Sequence, residues 1–331
     1  MDFTLLPILL LAAPSAIPPI HIHAALNGRP RYVDSLLFCL GMQTPLTPQT
    51  LNDGEYPACA AMTTGHVFRV ENQATVMYLR NLQRTGHLVT LEVKPNPQQP
   101  KHGGLMYAPV TSLVTPLVFN NVNAIDKYFL STVFILLLSR LLTIASLRAR
   151  TTPSWHGASE PDVQGDLLIL LSEDGWIRLK GAVDDLKAVT SGSWLSRRPP
   201  QPWLFDLMDW TARLLPYIAM ITLSSTTNYG KSLIIVSLLL AHASIALSNS
   251  RTKELNMNNR IIKISEQPGS VKQYSRRLDM AEHLIKETGR SDFAVRLGLI
   301  NPDQAVKTET TKGRGTSGGG GGGIDDMVVT M

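Results

Sequence analysis

Long apolar stretches separated by polar segments are the main pattern along this chain. Residues 128 to 147 form one predominantly apolar run, and two more, residues 218 to 223 and 232 to 248, flank a short polar turn. A helix of about 20 apolar residues can cross a bilayer. The pattern therefore predicts a transmembrane helix at residues 126–149 and a transmembrane helical hairpin at residues 206–249.

The N-terminal segment, residues 1–26, is also apolar. It has no charged residue between positions 3 and 22, so it is long enough to form a further span. Its prolines at positions 7, 14, 18 and 19 would kink or break a helix. Three interpretations remain open, namely a transmembrane span, a cleaved signal peptide, and a buried or interfacial segment.

Residues 27–125 have a mixed polar and apolar pattern. A short helix is predicted at residues 31–42, and a second helix begins at the N-cap Asn72 and stops by Gly86. Residues 87–93 then alternate between apolar and polar positions as a strand does. These features predict an extramembrane domain with both helices and strands.

A β-hairpin is the clearest local feature of residues 150–205. The dipeptide Asp174-Gly175 joins two apolar segments, which is a strong hairpin signal. In the second strand, Ile177 and Leu179 are predicted to face inward, with the residues between them on the other face. This region is therefore predicted to be a second extramembrane unit.

The C-terminal part of the chain divides into a helical and a low-complexity segment. Residues 250–305 are polar and contain an amphipathic helix pattern at 275–289, whereas residues 306–331 include six consecutive glycines and are predicted to be disordered. Taken together, the chain is predicted to be an α-helical membrane protein with three or four transmembrane segments, small α+β extramembrane regions and a disordered C-terminal tail.

Basic residues lie beside the apolar runs. The net charge of +5 over 331 residues is modest, and its distribution does not indicate nucleic-acid binding. The positive-inside rule favours the cytosol for the 150–205 region and the tail. A single span at 126–149 then puts residues 27–125 on the opposite side of the membrane. A first span within residues 1–26 would return the N-terminus to the cytosol and give four spans, but Arg29 and Arg31, just after that segment, argue against it. The basic residues that favour the cytosol are Arg148, Arg150, Arg197, Arg198, Arg251 and Lys253.

The chain has two cysteines, Cys39 and Cys59, both before the first long apolar run. They would be able to pair in an oxidising compartment and would stay as thiols in the cytosol. The sequence leaves both states open.

Arg140 and His242 are ionisable residues inside predicted spans. Such residues raise a functional hypothesis by default, because an ionisable group is costly in the bilayer. In an oligomeric transporter or channel they would line the path. The alternative interpretation is structural. The two residues would form hydrogen bonds between helices, or the Arg140 side chain would extend to the nearby membrane–water interface.

The turn of the hairpin contains Gly230-Lys231-Ser232, which resembles the end of a phosphate-binding loop. That motif needs a glycine at the position where this chain has Ser225, and it follows a strand rather than an apolar span. A polar turn that closes a helical hairpin is therefore the preferred interpretation.

Histidines do not form a recognisable metal site. His21 and His23 would share one face of a strand, but a site needs more ligands. No spacing joins His66, His87 or His102 to this pair.

The grouped carboxylates of the chain are Glu173, Asp174, Asp184 and Asp185. Carboxylates can act as acid and base or bind a cation, but a hairpin turn and the start of a helix account for these four. With His66 and His87, they are the candidates for an enzyme site. The sequence assigns no catalytic, cofactor-binding or metal-binding residue.

Two stretches, within residues 165–192 and 277–290, together with the paired spans between them, resemble an uncharacterised family of filamentous-fungal multi-pass membrane proteins. The resemblance covers about residues 30–302. It implies a membrane location and brings no activity, cofactor or site residue with it.

The leading hypothesis is a non-enzymatic scaffold or interaction protein of a membrane, surrounded by the lipid bilayer. It would present its cytosolic regions to partners, and the helix at 275–289 is a possible contact for a cytosolic protein. A subunit of an oligomeric transporter or channel is the alternative, and a membrane-bound enzyme is the third hypothesis. The sequence specifies neither the organelle nor the oligomeric state.

Overall fold

Strands from three separate parts of the chain build one mixed β-sheet in the computed structural model. The structure describes residues 18–96, 126–151, 157–195 and 202–302. The strands are β1 (Ala58–Ala61), β2 (Val67–Arg69), β3 (His87–Pro95), β4 (Gln164–Leu170), β5 (Trp176–Ala182), β6 (Leu255–Met257), β7 (Arg260–Ile264) and β8 (Val271–Gln273). The helices are α1 (Pro19–Leu26), α2 (Pro48–Asn52), α3 (Gln73–Leu82), α4 (Lys127–Arg150), α5 (Val183–Thr190), α6 (Pro202–Ser224), α7 (Asn228–Arg251), α8 (Arg277–Thr288) and α9 (Asp292–Arg296).

The sheet runs in the order β2-β1-β4-β5-β3-β7-β6, and β8 also pairs with β3. The pairing of β3 with β5 is parallel, and the others are antiparallel. The predicted hairpin is confirmed, because β4 and β5 are antiparallel neighbours with Leu170 opposite Trp176. Its turn is a short 3₁₀ segment at Ser172–Asp174.

Alternation along the strands gives the sheet two apolar faces. On the first face, Ile177 and Leu179 pack with apolar residues of α3 and α5. The prediction that these two residues face inward is confirmed. On the second face, Trp176 packs with apolar residues of α8 and α9. The sheet is therefore covered by helices on both faces, which suits its nearly continuous apolar central strands.

α4, α6 and α7 form a helical bundle, and residues from the N-terminal region pack among them. Leu37, Phe38 and Cys39 are buried with apolar side chains of all three helices. α1 contacts α7 and also α3 and β6. The N-terminal residues therefore connect the bundle to the first face of the sheet.

Pro216 interrupts the hydrogen-bond ladder inside α6. Because proline has no N–H, the carbonyl of Ala212, four residues earlier, loses its helical donor. The Ser139 hydroxyl on α4 donates to this carbonyl oxygen at 2.7 Å. The Thr132 and Thr222 hydroxyls form a second link between the two helices, with their oxygens 2.8 Å apart. Hydroxyl side chains of α4 thus satisfy polar groups at the α4–α6 contact.

Two helices among the described residues, α4 and α7, are long and apolar enough to cross a membrane. α4 coincides with the helix predicted at 126–149. α6 is not one of the two, because Asp206, Asp209 and Arg213 lie in its first half. The expectation of three or four such helices is therefore not supported, and a substantial α/β domain accompanies the two.

The extramembrane regions expected at residues 27–125, 150–205 and 250–305 are not separate units. The first contributes β1–β3, the second β4 and β5, and the third β6–β8 to the same sheet. Strands that are paired by backbone hydrogen bonds lie on the same side of any membrane. α4 therefore cannot be the sole crossing between β3 and β4, and the threading that separates residues 27–125 from residues 150–205 does not fit this sheet.

The predicted helix at residues 31–42 is reduced to the 3₁₀ helix Tyr32–Leu36. Leu36 is exposed and Leu37 is fully buried. Leu37, Phe38 and Cys39 are buried by insertion into the bundle as a non-helical segment, so their burial does not need a helix with one apolar side. Tertiary packing overrides the local pattern here.

Helix ends follow the predicted signals more closely. The Asn72 side chain accepts a hydrogen bond from the Thr75 N–H at 3.1 Å, which confirms the cap of α3. That helix ends at Leu82, before the predicted stop at Gly86. Gly289 follows α8 in the left-handed conformation with φ 75°, as expected for a C-terminal glycine.

Cys39 and Cys59 are free thiols, both fully buried, in different apolar clusters. Burial raises the pKa of the Cys39 thiol to about 11 and raises the pKa of Cys59 further. The disulfide that the sequence left open is therefore not formed in this structure.

The two ends of the chain are described in part. Of the apolar segment 1–26, residues 1–17 lie outside the described residues, and α1 is buried between the bundle and the sheet. The C-terminal segment 306–331 also lies outside the described residues.

Candidate functional site

Arg140 is a charged residue enclosed by the helical bundle. It lies on α4 with 2% of its surface exposed, so it does not extend to an interface as a snorkelling side chain would. Its Nε and Nη1 have no hydrogen-bond partner within the described ranges. A buried guanidinium with unused donors is costly, which makes this the most constrained polar position of the bundle.

Three side chains of the N-terminal region lie within electrostatic range of Arg140, namely His21, Asp34 and Cys39. Burial, with a smaller contribution from Arg140, lowers the pKa of His21 to about 3. The imidazole and the Cys39 thiol are therefore uncharged at neutral pH. Asp34, which is 4% exposed and accepts the Arg31 N–H at 2.8 Å, is the member of this group that can balance the guanidinium.

A small cavity lies next to this group, where α4 and α6 meet the N-terminal residues. His21, Thr143, Arg150 and Asp209 contribute to its lining, and its volume is about 30 Å³. Arg150 Nη1 and Asp209 Oδ2 are 3.4 Å apart beside it. This volume admits a water molecule and is too small for an organic substrate.

His242, the second ionisable residue predicted within a span, lies on α7. Its side chain is partly exposed, and its buried Nδ1 has no hydrogen-bond partner in the part of the chain that the structure describes. Within that part of the chain, the titratable neighbours of Arg140 are His21, Asp34 and Cys39, and His242 is not one of them. The structure therefore does not bring the two candidates into one site.

Arg178 connects β4, β5 and α8 through two carboxylates. Its Nε and Nη2 donate to Asp166 at 3.0 and 2.6 Å, and its Nη1 and Nη2 donate to Glu287 at 2.7 and 2.9 Å. Burial disfavours the charged guanidinium, but these hydrogen bonds outweigh burial and raise the pKa of Arg178 above its usual range. The network fixes α8 to the second face of the sheet.

A cleft of about 200 Å³ opens beside this network, between α8 and the loop of residues 265–270. Lys180 and Lys272 contribute to its walls. The Tyr274 hydroxyl forms a hydrogen bond of 2.9 Å with Nδ1 of His283, at the same cleft. This arrangement combines positive charge, hydrogen-bond donors and an aromatic ring, and it can hold a small anionic molecule.

The four grouped carboxylates of the sequence are not brought together as one site. Asp174 pairs with Arg277. Asp184 accepts hydrogen bonds from the Ser159 hydroxyl and the Glu160 N–H, which lower its pKa. Each of these carboxylates therefore has a local structural role. Asp185 forms an ion pair with Arg260, with Oδ1 2.8 Å from Nε. Glu173 lies in the 3₁₀ turn between β4 and β5.

The histidine candidates are also dispersed. His21 and His23 lie on helix α1 rather than on a strand, so residues two apart do not share a face. His66 stacks on Phe68, and His87 Nδ1 lies 2.9 Å from the Thr85 carbonyl oxygen. Among the described residues, no group of three or more His, Cys, Asp or Glu could hold a metal ion. His102 lies outside those residues.

The Gly230-Lys231-Ser232 sequence begins a helix. The Thr227 hydroxyl accepts the Gly230 N–H at 3.3 Å and caps α7, and Lys231 is buried. The segment before the turn is α6 and not a strand. The part of the preferred interpretation that is confirmed is a polar turn that joins two helices, α6 and α7.

Sequence reasoning missed the cleft, because its walls come from parts of the chain that are distant in sequence. Lys180 lies on β5, Lys272 on β8 and His283 on α8. The local signal is the isoleucine-rich run in residues 260–264, followed by Pro268-Gly269, which indicates a strand and a turn.

Searches of protein-family models, of curated proteins and of solved structures found no match to this chain. Any functional inference therefore depends on the geometry described above.

Proposed function

We propose that this chain is an integral membrane protein whose bundle lies in the bilayer and whose α/β domain faces the cytosol as an interaction module. The observation that carries the proposal is the distribution of exposed apolar side chains, because most of the large ones lie on three helices. In water such a large exposed apolar surface would favour aggregation. In a bilayer it is the surface that contacts lipid.

The exposed apolar residues of the bundle extend from Tyr128 to Leu141 on α4 and along most of α6 and α7. On α4 they are Tyr128, Leu130, Phe134, Leu138 and Leu141. On α6 they are Trp203, Leu207, Trp210, Leu214, Tyr217, Ile218 and Ile221. On α7 they are Tyr229, Val236, Leu239, Leu240 and Leu247.

Aromatic and basic residues mark the ends of the bundle. Exposed Tyr128 and Tyr229 lie near the N-termini of α4 and α7, and Arg148 lies near the C-terminus of α4. Tyr128 and Arg148 are 20 positions apart, which is about 30 Å along a helix and matches the hydrocarbon thickness. Tyrosine at one end and arginine at the other suit the two interfaces. Because β3 and β4 lie in one sheet, α4 would be one of an even number of crossings between these two strands.

The paired strands support α6 as the partner of α7 in a crossing hairpin. β5 precedes α6 and β6 follows α7, and both strands belong to one sheet. If α7 crosses the bilayer, the chain must cross in the other direction between β5 and α7. α6 is 23 residues long and ends at the turn before α7, so it provides that crossing despite its charged first half.

Basic residues of the N-terminal region lie on the same side as the sheet. Arg148 Nη1 donates to the Pro30 carbonyl oxygen at 2.7 Å, and its guanidinium lies 4.6 Å from the centre of the Tyr32 ring. Arg29 and Arg31 are therefore neighbours of the basic end of α4. The positive-inside rule then supports a cytosolic domain with all of these residues on one side.

The domain offers its polar surfaces to a partner. The apolar side of α8, which lies within the predicted partner helix 275–289, is covered by the sheet. Its exposed side carries Asp279, Glu282 and Lys286. A cytosolic protein that uses this helix would therefore recognise charged side chains.

Membrane integration is tested with single arginine substitutions on the exposed bundle surface. Phe134→Arg and Leu240→Arg replace side chains that are 64% and 46% exposed. Arginine at the centre of a span costs about 2.5–3.5 kcal/mol on insertion scales, so the alkali-resistant membrane fraction is expected to fall for both. Gln273→Arg, on exposed β8, is the matched control and should stay integrated. A wild-type chain released by alkaline carbonate would overturn the proposal.

Transport through an oligomer is the second candidate, and the unused donors of Arg140 favour it. A buried cation with free N–H groups attracts anions. We propose to measure chloride flux in proteoliposomes for wild type, Arg140→Leu and His242→Leu. Flux that is lost in folded variants would support transport, whereas loss of folding would assign both residues to packing.

A further inference from the structure

We propose that the cleft between α8 and residues 265–270, which we call the β8 cleft, binds a small soluble molecule with a phosphate or carboxylate group. This inference does not depend on the membrane proposal, because it concerns the second face of the sheet. The walls come from β3, β5, β8, α8 and the loop of residues 265–270.

The loop of residues 265–270 is held over the cleft by backbone hydrogen bonds to one residue of β3. The Thr90 N–H donates to the Ser270 carbonyl at 2.6 Å, and the Ser265 N–H donates to the Thr90 carbonyl at 3.0 Å. Both ends of the loop are thereby fixed to the same strand, and the loop leaves the sheet between them. Gly269 in this loop has φ 86° and open space at its Cβ position. The cleft is thus formed by well-anchored backbone.

Lys180 and Lys272 bring positive charge to the cleft, which is also lined by the Glu287 carboxylate. The neighbouring Arg178 is neutralised by Asp166 and Glu287. Lys180 is only 3.6 Å from the already paired Glu287, and Lys272 Nζ lies over the Tyr274 ring at 5.3 Å. An anion in the cleft would gain charge-assisted hydrogen bonds from the nearer of the two ammonium groups.

Uncharged groups complete the recognition of an anion. Burial, followed by the charge of Lys272, lowers the pKa of His283, so the imidazole is neutral in the free protein. The Thr90 side chain and the Leu88 side chain lie at the cleft with the Tyr274 ring. A ligand with one anionic end and one apolar end therefore fits the arrangement of the walls.

The position of the cleft indicates a soluble ligand rather than a lipid headgroup. α1 and Leu147, at the end of α4, pack on the first face of the sheet. The β8 cleft lies on the second face, with α8. The bundle and the cleft are therefore on opposite faces of the sheet. The volume of about 200 Å³ is below that of sites for drug-sized molecules, which limits the ligand to a small metabolite.

The test measures binding to the full-length protein in detergent micelles by calorimetry at constant ionic strength. The probes are inorganic phosphate, phenyl phosphate and phenylacetate. Saturable binding of at least one probe is expected, with Kd raised about tenfold in Lys180→Ala and in Lys272→Ala, since one charge-assisted contact is worth about that factor. Lys286→Ala, on the exposed side of α8 and outside the cleft lining but within electrostatic range of His283, is the matched control and should change Kd much less than Lys180→Ala or Lys272→Ala.

Three outcomes would overturn the inference. One is the absence of saturable binding by all three probes to protein whose thermal unfolding is cooperative. Another is an equal loss of affinity in the Lys286→Ala control. The third is binding of the wild type to vesicles with phosphatidylserine or phosphoinositide, lost in Lys272→Ala, without binding of any soluble probe, which would assign the cleft to lipid headgroups.

Discussion

The hydrogen bond between Ser139 and the Ala212 carbonyl gives a quantitative prediction about the bundle. Pro216 deprives this carbonyl of its helical donor, and the Ser139 hydroxyl replaces that donor at 2.7 Å. Ser139 is 2% exposed and Ala212 is 4% exposed. Substitution Ser139→Ala therefore leaves a buried carbonyl without a donor.

The size of the effect follows from the environment of the carbonyl. An unsatisfied buried polar group costs about 1–3 kcal/mol, and hydrogen bonds between helices in membranes contribute about 0.6 kcal/mol on average and up to about 1.7. We expect Ser139→Ala to lower the free energy of unfolding by about 1–2 kcal/mol. In a Pro216→Ala background, the N–H of residue 216 can donate to the Ala212 carbonyl. Ser139→Ala should then lower the free energy of unfolding by less than about 0.5 kcal/mol.

The assay is reversible unfolding of all four proteins in mixed micelles, followed by the fluorescence of the exposed tryptophans Trp203 and Trp210 on α6. The double-mutant cycle gives the coupling between residues 139 and 216 without the other effects of either substitution. Thr143→Ala, which removes a hydroxyl that donates within α4 itself, is the control. Equal costs of Ser139→Ala in both backgrounds would refute the assignment of this hydroxyl to the carbonyl freed by Pro216.

Three further predictions concern the sheet domain. Arg178→Met should destabilise the protein by about 3 kcal/mol, because it leaves the buried side of Asp166 unpaired, and urea unfolding that matches wild type would contradict this. The pKa of Glu287 is lowered, chiefly by its hydrogen bond with Arg178. Its stabilising contribution is therefore complete above the unfolded value of about 4.3 and is lost as pH falls through the lowered folded value. Glu287→Gln should reduce the pH dependence of the free energy of unfolding, measured in urea, in that acidic range. An unchanged pH dependence would show that the Glu287–Arg178 pair does not contribute. Gly181→Ala should cost about 1–3 kcal/mol, because its Cβ would lie 2.7 Å from the Val93 carbonyl oxygen. Gly165→Ala, on the paired strand, should cost less because it meets the movable Leu186 side chain. Equal melting temperatures for the two variants would contradict the close approach of β3 and β5.

Local sequence signals predicted individual elements well. Asp174-Gly175 predicted the hairpin, Asn72 predicted the start of α3, and Gly289 predicted the end of α8. In each case the conformation depends on turn or capping chemistry within a few residues. The lengths of α4 and α7 follow from apolar composition in the same way.

The assembly of those elements was not predictable from the same signals. β3 pairs with β5 across 80 or more residues, and β7 pairs with β3 across a greater distance. Such pairings depend on which faces fit together, and no local pattern encodes them. The predicted threading failed for this reason, since it treated each polar segment as a unit that buries its own apolar residues.

The candidate sites also depend on how distant parts of the chain come together in the fold. Arg140 was recognised because a charge inside an apolar run is visible in the sequence. Its neighbours Asp34 and Cys39 were not, because they reach it from a segment that inserts into the bundle. The β8 cleft combines strands and a helix that come together only in the sheet.

The central claim is that one sheet, assembled from three parts of the chain, lies on one side of a membrane that the bundle crosses. It is tested most directly with single cysteines at the exposed positions Arg69→Cys, Gln273→Cys and Tyr229→Cys, labelled by an impermeant maleimide in sealed vesicles. The wild type, with Cys39 and Cys59 buried, sets the background. The account predicts that positions 69 and 273 react alike and that position 229 shows the opposite accessibility. Different labelling of positions 69 and 273 would contradict the single sheet, and identical labelling of all three would contradict the crossing.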